Sequence, residues 1–142
     1  MPVHFHFQKQ VDLKLRKKLK AFIPEIFIFN RKLGGNISFV FCSDEYLLNI
    51  NKDFLQHDYY TDIITFNLSP KGQATIDAEL YISVDRVKDN AFNLKIPLQV
   101  ELQRVIFHGI LHLCGFKDKS KSDILEMRKK EDECLKKFDS FI

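Results

Sequence analysis

Apolar and polar residues alternate at the start of the chain. Val3, Phe5 and Phe7 are separated by His4 and His6, a period of two that predicts a strand over 3–7 with one polar face. From 11 to 33 the period lengthens. Leu13, Leu15, Leu19, Phe22 and Ile23 recur at helical spacing, Pro24 is placed to kink or split the helix, and Gly34-Gly35-Asn36 to stop it. A strand follows over 37–42, and Ser43-Asp44 supplies a cap for a helix from 45 to 54. The loop 55–60 leads into a strand over 61–66, a turn over 69–72 and a strand over 79–83. Ser83 caps a helix reaching residue 94, Pro97 opens a long apolar helix ending at Cys114, and Ser120 with Asp123 opens a last helix to Phe138. This order predicts an α+β fold: a small mixed four-stranded sheet packed with about five helices.

At 142 residues the chain is read as one domain, and fourteen phenylalanines without a tryptophan predict a core of Phe rings. No apolar run approaches the ~20 residues of a membrane span. Met1-Pro2-Val3-His4-Phe5 lacks the basic-then-apolar layout of a signal peptide. Cys42, Cys114 and Cys134 are odd in number and show no paired spacing, which points to reduced thiols and a cytoplasmic location. The net charge of +3 is modest. Basic runs at 14–20, 117–121 and 128–130 suit RNA phosphates. They are interleaved with Asp and Glu and read as well as solvated helix faces, so charge alone does not define a nucleic-acid-binding protein.

The chemistry concentrates at the end of the apolar helix, in Phe107-His108-Gly109-Ile110-Leu111-His112-Leu113-Cys114-Gly115-Phe116-Lys117-Asp118. His108 and His112 lie about 40° apart on one helix face, one turn from each other. Two imidazoles so stacked can grip one metal ion from the same side. Gly115 is suited to end the helix in the left-handed conformation, so that the chain turns back and aims Asp118 at the same point. Two nitrogens and one carboxylate around a divalent cation leave a position open for water, the arrangement of a catalytic zinc site rather than a structural one, and non-haem iron uses the same ligand set. Gly109 costs about 1 kcal/mol within a helix, which a close neighbour or space beside a metal would explain. Glu131 falls inside the apolar stripe of the last helix (Ile124, Met127, Cys134, Phe138). There it serves either an ion pair to a neighbouring helix or the support of a ligand histidine. His4 and His6 share a strand face, but nothing nearby completes a site.

The stretch His108-Gly-x-Leu-His112-Leu-x-Gly115 resembles the signature of the YbeY family, bacterial metal-dependent endoribonucleases that mature ribosomal RNA. The likeness extends through residues 51–66, where Asn51, Phe54, Asp58, Thr61, Asp62 and Phe66 match, and through 79–83 and 127–131. The chain departs from the family at Leu55, where the family carries Arg, at Tyr60, where it carries Pro, and at Asp118, where it carries a third His. The resemblance implies a zincin-like metal helix with zinc held by His108, His112 and Asp118. It makes Asp62, Glu79 and Glu131 candidates for supporting the cleft, and His57, in the same loop as Leu55, is a further candidate as a partial substitute for the missing Arg, or else a surface loop histidine. No general acid or base is named by the sequence. Implied partners are single-stranded RNA, small-subunit (16S) rRNA in 3′-end maturation, and the ribosome or its small-subunit proteins, with neither membrane nor DNA.

Two rival readings use the same residues. The spacing H-x3-H-x2-G-x2-D is also that of metzincin proteases, which place Glu directly after the first His; here Gly109 stands there. The other rival is a non-catalytic ribosome-assembly factor stabilised by its metal, a reading that Leu55 supports.

Overall fold

The computed structural model describes residues 1–142. The period-two segments become strands β1 (Val3–Phe7), β2 (Leu33–Cys42), β3 (Ile63–Asn67) and β4 (Thr75–Ser83). The helices are α1 (Arg16–Phe29), α2 (Asp44–Leu55), α3 (Val84–Leu94), α4 (Leu98–Leu113) and α5 (Lys121–Ser140). The sheet order is β1-β2-β4-β3, with β1, β2 and β4 parallel and β3 antiparallel at one edge. The fold is therefore α+β with a mixed four-stranded sheet and five helices, as the pattern predicts.

Alternation along the strands separates two cores. Ile37, Phe39 and Phe41 of β2 and Ala78, Leu80 and Ile82 of β4 join α1, α4 and α5 in the main core. Phe22 lies at its centre, edge-on to Phe107, Phe138 and Phe141 with 5.3 Å between ring centroids in each pair. On the opposite face Cys42, Leu47, Ile50 and Ile64 form a smaller cluster under α2.

Several boundaries differ from the pattern. α1 starts at Arg16, because Leu15 adopts a left-handed conformation (φ 59°). Val11 and Leu13 are buried from an irregular segment, so burial there mimics helical periodicity. Pro24 lies inside α1, which runs through it as one helix. Residues 34–36 belong to β2 and carry an irregularity in the pairing between Gly34 and Ile37. A side chain at Gly35 would meet the Asp77 carboxylate, which accepts the Asn36 N–H at 2.7 Å. β4 likewise begins at Thr75, before Glu79. Ile124 is 49% exposed, so the apolar stripe of α5 begins in earnest at Met127.

α4 crosses the sheet where β3 and β4 pair, and Gly109 makes the crossing possible. A Cβ there would run into Leu80 and Ile63. The close-neighbour explanation of this glycine therefore holds. The approach sets the turn carrying His108 and His112 beside the free edge of β3.

Candidate metal centre

α4 ends in a Schellman motif around Gly115 (φ 108°). The Phe116 N–H bonds to the Leu111 carbonyl at 3.2 Å and the Gly115 N–H to the His112 carbonyl at 3.0 Å. The reversal has two consequences for the histidines. It returns the Phe116 carbonyl to His112, whose Nδ1 lies 3.2 Å away. It also returns Asp118 to His108, with Oδ2 3.3 Å from Nε2. His108 Nδ1 meets Glu131 Oε2 of α5 at 2.7 Å.

Both histidines thus have Nδ1 occupied by an oxygen acceptor. An Nδ1–H bonded in this way leaves Nε2 as the free lone pair, which is how ligand imidazoles are oriented at metal sites. Two donors about 2.1 Å from a tetrahedral zinc lie roughly 3.4 Å from each other. The 3.3 Å between His108 Nε2 and Asp118 Oδ2 matches that separation. The donor chemistry therefore fits a zinc ion. The full trio is not gathered: no three His, Cys, Asp or Glu side chains converge closely enough to hold a metal. His108 and Asp118 are juxtaposed, while His112 lines the same cleft beside them.

Behind His108 stands a buried charged network. Arg104, one turn earlier on α4, pairs with Glu101 and places Nη1 3.0 Å from Glu131 Oε1. Glu101 is fully buried and Glu131 only 2% exposed. Glu131 thus serves both roles that the sequence left open, an ion pair and a hydrogen bond to the histidine. Burial opposes ionisation of His108 and Glu131, and their partners outweigh it. Burial pushes His108 down, but its bond to Glu131 and the charges of Glu131, Asp62 and Asp118 hold it above its ordinary value. Burial pushes Glu131 up, but His108 and Arg104 hold it below the usual carboxylate range. Asp62 shares a lobe of the cleft with His108, Asp118, Arg104, Arg128 and Glu131. Burial holds its carboxyl above the ordinary value against the opposing charges of His108 and Arg104.

The opposite wall of the cleft comes from the end of α2, the loop 56–62 and β3. Asn51, Leu55, His57, Tyr59, Thr61 and Thr65 face His108, His112 and Asp118 across about 400 Å³. His57 is therefore exposed yet inside the cleft. Leu55, 41% exposed, contributes an apolar surface there. Glu79 is elsewhere. It lines an apolar groove with Tyr46, Phe54, Phe66 and Tyr81 on the α2 face of the sheet, because alternation turns it away from Leu80 and α4. His4 and His6 stack on each other on β1, at the opposite edge of the sheet from β3.

Two residues that shape the cleft, Arg104 and Asn51, have no role that the sequence alone reveals. Arg104 was detectable as the lone cation in an apolar helix, one turn before His108 and matched by a buried carboxylate at 131. Asn51, 2% exposed, donates from Nδ2 to the Tyr59 carbonyl at 2.9 Å and accepts the His57 N–H on its own carbonyl at 3.0 Å. Those contacts span the α2–β3 connection, and no local pattern announces them.

A histidine-bearing helix laid beneath an edge strand, with a carboxylate returned by a glycine turn, defines an α+β protein with an open, histidine-lined cleft. Comparison with known proteins narrows the class. The family model described as Endoribonuclease YbeY matches residues 4–139. The chain is 42% identical over 134 residues to the Endoribonuclease YbeY of Flavobacterium psychrophilum, covering 93% of this chain and 94% of that one. It is 49% identical over 120 residues to that of Porphyromonas gingivalis, covering 84% and 78%. Among solved structures, the solution structure of TM1509 from Thermotoga maritima superposes with a TM-score of 0.60 at 26% identity, covering 99% of this chain and 93% of that one. The chain belongs to the YbeY endoribonuclease family.

Proposed function

We propose that this protein is a zinc-dependent endoribonuclease that cuts single-stranded RNA, acting in 3′-end maturation of 16S rRNA and in ribosome biogenesis and quality control. Its partners are then the small ribosomal subunit and its RNA, and its location the cytoplasm. The observation that carries the reading is the paired orientation of His108 and His112, each with Nδ1 held by an oxygen and both lining one cleft with Asp118. The endoribonuclease name of the relatives supports the substrate class.

His108, His112 and Asp118 would hold the ion. When bound, zinc supplies a Lewis acid for a phosphate oxygen and lowers the pKa of a coordinated water. The protein's residues do the rest. Glu131 fixes the tautomer and orientation of His108 through Nδ1, and Arg104 keeps Glu131 ionised for that purpose. Arg128 is 51% exposed at the cleft rim, with only a 3.5 Å contact to Glu131, so its guanidinium is free to take phosphate oxygens in a two-pronged contact. Arg104 has no such freedom, being 12% exposed and engaged by two carboxylates. Leu55 brings no charge to the other wall, which makes for slow turnover.

The protease reading lacks its base. Gly109 stands where that base belongs, and a side chain there would run into Leu80 and Ile63. One pure preparation offered single-stranded RNA and casein, with and without chelator, tests the proposal. Chelator-sensitive cleavage of RNA with casein left intact is expected. Cleavage of casein, or RNA left whole by the zinc-loaded protein, would overturn it.

A further inference from the structure

The loop that closes the cleft opposite the histidines displays two rings that the protein's own packing does not use. His57 and Tyr59 stack with centroids 5.1 Å apart and planes 20° from parallel. Tyr59 Oη and His57 Nδ1 are joined by a hydrogen bond of 2.9 Å. Both residues are exposed, Tyr59 to 56%. An aromatic stack that buries neither member contributes little to a core, yet the backbone presenting it is tied down with a buried side chain. Asn51 accepts the His57 N–H on its main-chain carbonyl and donates from its buried side-chain amide to the Tyr59 carbonyl. Gln56 enters the loop in a left-handed turn (φ 56°). Beyond the pair, Tyr60 Oη donates to Glu45 at 2.7 Å, and the Arg86 guanidinium lies 5.2 Å from the Tyr60 ring centroid. The loop is anchored at both ends and its rings are left bare.

We propose that Tyr59 and His57 form a nucleobase-stacking subsite, on which an unpaired base next to the reacting phosphate lays its face. The inference rests on the nuclease reading and gives it a source of single-strand selectivity. Every base has a π-face, so stacking binds a strand with little regard to sequence. A base inside a helix has both faces covered by its neighbours and cannot engage without being unstacked. The site lines the same cleft as His108, His112 and Asp118. A base held there therefore brings its own backbone to the histidine wall. The hydrogen bond between the rings fixes their common plane in advance, so little ordering remains for the ligand to impose.

The chain has no tryptophan, so Tyr59→Trp creates a single fluorescent reporter at the subsite. In chelator, where nothing is cut, an unpaired RNA oligonucleotide should quench that fluorescence, and a duplex of the same sequence should not. Tyr59→Ala should weaken single-strand binding and raise KM by between about fivefold and a hundredfold, the range of stacking on one ring. Its zinc content should be unchanged and kcat less affected. Tyr59→Phe keeps the ring but loses the hydroxyl that orients it, and should bind more weakly than the parent yet more tightly than Tyr59→Ala. Unquenched Tyr59→Trp at saturating RNA, or Tyr59→Ala with the parent's KM, overturns the subsite while the nuclease reading stands. Quenching by RNA in a protein that never cleaves it would leave the subsite and remove the nuclease.

Discussion

The two walls of the cleft are built on opposite principles. On the α4–α5 wall, Glu101, Arg104, Glu131 and His108 form a connected, largely buried chain of charges, each satisfied by the next. On the loop wall, Leu55, His57 and Tyr59 are exposed, and one buried amide, Asn51, keeps the loop in place. The difference separates what must stay fixed from what is free to vary. A change on the first wall strands a buried charge. A change on the second alters what the cleft touches and little else. The departures from the resembled family at Leu55 and Tyr60 both fall on or beside the second wall. Asp118, the third departure, is nearly half exposed on a loop that only leans against the first.

The contrast should be plainest at Glu131. Glu131→Ala leaves Arg104 and His108 without their buried partner, a loss expected to cost about 3–5 kcal/mol of stability. It should also weaken metal binding by roughly 10–100-fold through the freed His108 ring. Thermal unfolding and chelator competition measure the two. If the variant melts with the parent, the first wall is not the rigid one.

Asn51→Ala should come next. It removes the bond to the Tyr59 carbonyl and leaves that group unpaired, costing about 1–3 kcal/mol. RNA binding should weaken while zinc affinity holds. Loss of zinc in this variant would show that the walls are not independent.

A smaller effect follows from the proton on His108. Its folded value lies above the ordinary 6.5, so metal-free protein gains stability that is complete below 6.5 and fades as the pH rises through the folded value. The melting temperature of metal-free protein should fall over that interval, and His108→Asn should flatten the fall. A fall of equal size in the variant would assign it to another group.

The smallest change is Leu55→Arg, which adds a cation to the loop wall. It should raise RNA affinity modestly and steepen the salt dependence of single-strand binding by about 0.7 in log–log slope. Fold and metal content should not move. A fall in RNA cleavage with both intact would contradict the role given to that position.

Legibility in the sequence follows the same division. The helix that carries His108 and His112, its stop at Gly115 and the return of Asp118 are local events, and helical spacing with a left-handed glycine was enough to read them. Element types were read correctly throughout, while boundaries failed where burial came from outside the element. Val11 and Leu13 look helical because they are buried, and 34–36 look like a turn because the irregular pairing needs small residues. Asn51 matches the family pattern, yet its contacts, like those of Arg104, are illegible for a related reason. Each acts on a group far away in the chain or across a loop, and a single sequence does not encode that distance. Glu79 matched by strand position, but the sheet face that it takes depends on which side α4 packs.

The proposed zinc site depends most on Asp118 as a ligand, since the His108–Asp118 contact places two donors at ligand separation. The direct measurement is zinc affinity by chelator competition in the parent, Asp118→Ala and Asp118→His. Asp118→Ala should lose at least the ~10–100-fold that even supporting residues of zinc sites command. Asp118→His should hold zinc as the parent does, because a neutral imidazole reaches the same point. Zinc held by Asp118→Ala as tightly as by the parent would reduce Asp118 to a loop residue and contradict the three-ligand site.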